Sequence, residues 1–75
     1  MVFETIQRLL AQLLAYDSER ITMSTVILED LEAEPGDLVE LILALEQEFA
    51  IELADDDWKT IETVGDLTAL IENRI

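Results

Sequence analysis

The chain has 75 residues, 51% of them hydrophobic, with 18 acidic side chains against 4 basic ones and a formal net charge of -14. The apolar fraction supports a folded core rather than disorder, and a chain this short is expected to form a single domain over residues 1–75, for which helices with short links give the simplest core. The charge excludes nucleic acid, whose phosphates need clustered Lys and Arg, disfavours anionic membrane surfaces, and points to a basic patch on a partner protein.

Phe3, Ile6, Leu10, Leu13 and Leu14 recur at steps of three and four, with Leu9 widening the stripe, so residues 3–15 read as an amphipathic helix. Between Tyr16 and Glu34 the pattern breaks into scattered apolar anchors, Ile21, Val26, Ile27, Leu28 and Leu31, separated by Ser18, Thr22, Ser24 and Thr25. This predicts a long loop pinned to the core, with one short helical turn; connections of such length are often functional. Leu38, Leu41, Ile42, Leu45 and Phe49 form the clearest helical stripe, over residues 36–50, and Pro35 stands where a helix can begin. Asp37 and Glu40 would lie near the positive end of that helix dipole. Asp55, Asp56 and Asp57 start a short third helix carrying Trp58, with Asp55 as its expected cap. Thr63-Val64-Gly65-Asp66 has the spacing of a capping box, a hydroxyl followed three residues on by a carboxylate. Val64, Leu67, Leu70 and Ile71 then carry a last helix. The expected fold is all-α: a small four-helix bundle with a long loop between the first two helices and a short third helix.

The longest apolar run, Leu41 to Leu45, is far too short to span a membrane. Met1-Val2-Phe3-Glu4 lacks the basic-then-apolar layout of a secretion signal, so a cytoplasmic monomer is expected. With no cysteine and no histidine the chain has no thiolate nucleophile, no disulfide framework, and neither the usual general base nor the commonest metal ligand. No carboxylate pair, serine triad or glycine-rich phosphate loop emerges from the spacing, so no catalytic residue is assigned and the protein reads as a non-enzyme. Asp55-Asp56-Asp57 lacks the alternating ligands, glycine and closing glutamate of a calcium loop, so no metal site is assigned.

Leu28-Glu29-Asp30-Leu31, then Asp37-Leu38-Val39-Glu40-Leu41, then Ala44-Leu45-Glu46-Gln47-Glu48-Phe49, followed by Thr63-Val64-Gly65-Asp66-Leu67, resemble in order and spacing the acyl carrier protein family. The resemblance runs without a gap from about Phe3 to Ile75. It implies a four-helix bundle serving fatty-acid or polyketide-type biosynthesis, with a serine at the start of the second helix. That serine carries 4′-phosphopantetheine, whose thiol shuttles acyl groups. Here Glu34-Pro35-Gly36 stands where the family has Asp-Ser-Leu, and Pro35 falls on the serine position. Proline has no hydroxyl, and a shift of one residue puts Gly36 there with the same result, so no cofactor is expected.

Every ionisable residue from Ile21 to Trp58 is acidic. The plain reading is a solvated charged surface that keeps a small apolar domain soluble. The resemblance adds a functional one, in which Glu34, Asp37, Glu40, Glu46 and Glu48, with Leu38 as an apolar contact, dock on basic patches of partner enzymes. Ile27, Leu41, Leu45, Leu53, Ile61 and Leu67 match positions that line the family's acyl pocket, although an ordinary packed core explains them equally well without a tether. Trp58 reads as a packing residue at a helix edge. The expected function is therefore a carrier-like docking protein without its prosthetic group. The alternatives are an adaptor or regulator that never uses the group, and an acidic inhibitor that occupies a basic surface.

Overall fold

The computed structural model describes residues 1–75, and each long helix in it follows an apolar stripe seen in the sequence. Helix α1 spans Val2–Leu14, α3 Pro35–Phe49 and α5 Val64–Arg74. Single turns fill the connections: a 3₁₀ turn at Ser18–Arg20, α2 at Ile27–Asp30 and α4 at Asp55–Trp58. The connection between α1 and α3 therefore holds two ordered turns where one was expected. The second forms because Asp30 folds back and its carboxylate accepts the Val26 N–H at 2.8 Å, closing α2 on itself. Such a bond lies outside any apolar periodicity. No helix is long and apolar enough to cross a membrane.

Helix α1 packs against α5 and α3. Ile6 and Leu10 of α1, Leu41 and Leu45 of α3, and Val64, Leu67 and Ile71 of α5 are buried at the centre. Ile21, Ile27 and Leu31 reach the same cluster from the long connection. Fully burying a side chain of this kind contributes about 1.5–3 kcal/mol relative to leaving it in water. The connection is also tied down by polar bonds. Gln7 on α1 donates from Nε2 to the carbonyls of Ser18 and Ile21, at 2.7 and 2.8 Å. Further on, Val26 and Thr63 form an antiparallel bridge. Around that bridge the Ile27 N–H donates to Glu62 at 3.0 Å and the Val64 N–H to Thr25 at 2.9 Å.

Thr63 and Asp66 cap α5 reciprocally: the Thr63 hydroxyl accepts the Asp66 N–H at 3.1 Å, and the Asp66 carboxylate accepts the Thr63 N–H at 3.1 Å. At α4 the cap is Asp57 rather than the expected Asp55, because the residue three positions into the helix can reach back to the Ala54 N–H, at 2.8 Å.

Helices α1 and α3 end on Ala15 and Ala50, with φ of 52° and 53°. The following Tyr16 and Ile51 N–H groups close six-to-one bonds to the Ala11 and Glu46 carbonyls. Glu32, between α2 and α3, has φ 52° as well. A Cβ is disfavoured in this left-handed region, where glycine sits without cost. Replacing Ala15, Glu32 and Ala50 together by glycine should therefore raise stability by about 1–2 kcal/mol, read as a higher urea midpoint with an unchanged slope.

Candidate functional site

The first turn of α3 gathers the residues singled out in the sequence. Pro35 occupies the first helical position, exposed, where its missing N–H would have had no partner. Asp37 closes the turn: its carboxylate accepts the Glu34 N–H at 3.0 Å while its own N–H donates to the Glu34 carbonyl at 2.9 Å. Glu34 and Glu40 point their side chains at solvent with no hydrogen-bond or ion-pair partner, and Gly36 is exposed beside them.

The other residues named for docking are placed differently. Leu38 is half-buried and packs against the core. Glu46 is half-buried, and its carboxylate accepts the Leu53 N–H at 2.9 Å, so it anchors the chain leaving α3. Glu48 is exposed but pairs with Arg8 of α1, at 3.1 Å. In place of Leu38, the outer face of α3 presents Val39 and Leu43, 56% and 55% exposed. They lie one turn apart, off the buried stripe, which is the sequence signal that could have found them. Helix α3 thus offers solvent two aliphatic side chains, and the carboxylates of Glu34 at its start and Glu40 in its second turn are also free.

Behind the first turn of α3 lies a cavity of about 400 Å³, lined by Val26, Ile27, Leu28, Glu29, Leu38, Trp58, Ile61 and Glu62. Of the six residues matched to an acyl pocket, Ile27 and Ile61 line it. Leu41, Leu45 and Leu67 lie in the closed core, and Leu53 is half-buried against that core. Trp58 comes from the short α4 and packs at its edge, and its indole Nε1 is buried without an acceptor.

The basic side chains leave little positive charge free. Arg8 pairs with Glu48, Lys59 with Asp56 at 3.2 Å, and Arg74 with Asp57 at 2.6 Å. Arg20 sits 5.9 Å from the centre of the Tyr16 ring. The Ala54 N–H, and after it the Arg74 guanidinium, hold the Asp57 carboxyl below the usual aspartate range. The Thr63 and Glu62 N–H groups do the same for Asp66. Both carboxylates serve as helix caps, and neither belongs to the outer face of α3.

Two comparisons with known proteins place this geometry. The family described as phosphopantetheine attachment site matches residues 4–71. The acyl carrier protein of Clostridium acetobutylicum is 40% identical over 72 residues, covering 96% of this chain and 94% of the relative. A phosphopantetheine ester needs a hydroxyl oxygen, and Glu34, Pro35 and Gly36 offer none at the start of α3. Three hydroxyls in the preceding connection, those of Thr22, Ser24 and Thr25, are engaged with one another. Thr25 is buried and its Oγ1 accepts the Thr22 N–H at 2.8 Å, while Thr22 Oγ1 and Ser24 Oγ share a bond of 3.1 Å. The residues at the α3 start do not fit the group.

Proposed function

The chain belongs to the phosphopantetheine attachment family and, within it, to the acyl carrier proteins, and from that premise we propose that it is a docking member of the family that works without the prosthetic group. Acyl carrier proteins are carriers rather than catalysts, and this protein is not an enzyme. It serves fatty-acid or polyketide-type biosynthesis as a cytoplasmic monomer. Its partners are the enzymes of such a pathway, which meet α3 through a basic surface surrounding an apolar depression. Val39 and Leu43 enter the depression, and Glu34 and Glu40 meet the surrounding cations.

The observation that carries this reading is Pro35. It begins α3 with the backbone geometry a helix start needs, in a turn that Asp37 closes normally, yet it has no oxygen to esterify. The scaffold that presents the attachment point is intact and the chemistry of attachment is gone. Electrostatic complementarity remains and serves encounter and register. The intact mass of the protein isolated from its native cells should equal that of the unmodified chain. A species heavier by one phosphopantetheinyl group, assigned by fragmentation to any residue, overturns the proposal.

A further inference from the structure

We propose that this chain is a competitive decoy: it occupies the carrier-receiving surface of an enzyme that passes acyl groups onto a carrier's thiol, and slows that enzyme's use of tethered carriers. The inference rests on the docking reading above and adds what docking does to the partner's turnover.

A decoy must present the surface that the partner reads. The family match over residues 4–71 takes in nearly all of α1 through α5, so the chain offers the helices that a tethered carrier offers. On α3 the carboxylates of Glu34 and Glu40 have no internal partner, and Val39 and Leu43 are exposed. No Lys or Arg lies between Ile21 and Trp58. The four basic residues stand elsewhere, Arg8 on α1, Arg20 in the 3₁₀ turn, Lys59 after α4 and Arg74 on α5. A second copy of the chain would meet α3 with charge of the same sign, and like charges set against each other across an interface are costly. The occupant therefore has to supply the cations, as an enzyme surface that receives acidic carriers does. One such surface holds one α3 at a time, so this chain and a tethered carrier exclude each other.

A decoy must also fail to react. Acyl transfer to a carrier breaks the acyl–sulfur bond of the donor thioester and forms one to the acceptor's sulfur, while the acceptor's thiol proton passes to the departing donor sulfur. This chain has no cysteine, and Glu34, Pro35 and Gly36 offer no oxygen on which a thiol-bearing arm could be mounted. Pro35 and Gly36 are exposed, and nothing lies within 4 Å of a Cβ built on Gly36. The start of α3 is thus open to a partner, yet it extends nothing beyond the backbone and the pyrrolidine ring. Asp37 still closes the turn on the Glu34 N–H at 3.0 Å, so the contour of the helix start is kept. Docked, the chain covers the surface and gives the partner no sulfur to acylate. The complex is a dead end that dissociates unchanged, and only more tethered carrier relieves it.

The test uses the acyltransferase of the native cells that charges their phosphopantetheinylated carrier from acyl-coenzyme A, with the full unmodified chain as inhibitor. Calorimetry first gives the Kd of the chain for the transferase. With the chain at about ten times that Kd, the apparent KM for the carrier should rise about elevenfold, one plus the ratio of concentration to Kd, and kcat should not change. Glu34→Lys with Glu40→Lys should abolish the inhibition, whereas Glu19→Lys with Glu72→Lys should retain it. Pro35→Ser with Gly36→Leu, once phosphopantetheinylated, should accept the acyl group itself and become a substrate. A lowered kcat, faster turnover, an unchanged KM with the chain bound, or a phosphopantetheinylated variant that inhibits as before without taking the acyl group would each overturn the decoy and leave docking in place. No calorimetric binding to the transferase would remove the docking reading as well, so the two failures are told apart.

Discussion

Glu34→Lys combined with Glu40→Lys should weaken binding to a physiological partner enzyme by about 2–4 kcal/mol, because each substitution leaves a cation on the partner unpaired within the interface. The matched control is Glu19→Lys with Glu72→Lys, which changes the net charge equally on exposed residues of the 3₁₀ turn and α5. Attraction governed by total charge alone predicts the same loss for both pairs. Docking on α3 predicts well under about 1 kcal/mol for the control, as for other exposed charges. Both test side chains are free of internal partners, whereas Asp37, Glu46 and Glu48 each hold part of the fold. Substitutions at those three would mix lost binding with lost structure. Near the positive end of the α3 dipole, Glu34→Lys costs about 0.3–1 kcal/mol of stability, a shift that thermal unfolding separates from the binding loss. Equal weakening by both pairs, measured by calorimetry on folded variants, would remove α3 as the docking element.

The two glycines should respond in opposite directions to the same substitution. Nothing lies within 4 Å of a Cβ built on Gly36, in the first turn of α3. Alanine there reduces the freedom of the unfolded chain and should stabilise the protein by about 0.5 kcal/mol. A Cβ on Gly65 would fall 2.9 Å from the Met23 carbonyl oxygen, a backbone atom that cannot step aside as a side chain would. That same oxygen accepts the Gly65 N–H at 2.7 Å. The close approach joins the long connection to the start of α5, next to the Val26–Thr63 bridge. Gly65→Ala should therefore lower stability by about 1–3 kcal/mol despite its better helix propensity, through overpacking, with Gly65→Val worse still. The loss would begin in the connection, so amide exchange should quicken first at Thr25, Ile27 and Val64. Equal responses at the two positions would mean that this contact is not maintained in solution.

The long helices were legible because each buries one stripe, and a stripe of three- and four-residue steps is a property of sequence alone. The Thr63–Asp66 cap was legible for the same reason, being a fixed local spacing. What escaped depends on partners far apart in the chain or on side chains that act through their backbone neighbours. Gln7 reads as a polar interruption of a stripe, yet it holds two carbonyls of the following connection. Asp30 and Asp57 read as members of acidic runs, and only the turn itself shows them to be caps.

The candidate site divides in the same way. Pro35 and the exposed carboxylates Glu34 and Glu40 follow from position along α3. The resemblance assigned Leu38 to the outer face, but the rotation of the helix turns it inward and leaves Val39 and Leu43 outside. Matching by resemblance also grouped Leu41, Leu45 and Leu67 with Ile27 and Ile61. Depth separates them: the first three fill the core and the last two line the cavity.

Phosphopantetheinylation of the chain and of its Pro35→Ser, Gly36→Leu variant, side by side, is the most direct test of a family scaffold retained without its attachment point. Each is incubated with coenzyme A and a broad-specificity phosphopantetheinyl transferase and weighed intact. Pro35 offers no oxygen, so the unaltered chain should keep its mass. The variant should gain one phosphopantetheinyl group, because α3, its Asp37 cap and its free carboxylates still present position 35 to the transferase. A modified unaltered chain, or a folded variant that stays unmodified, would contradict the account.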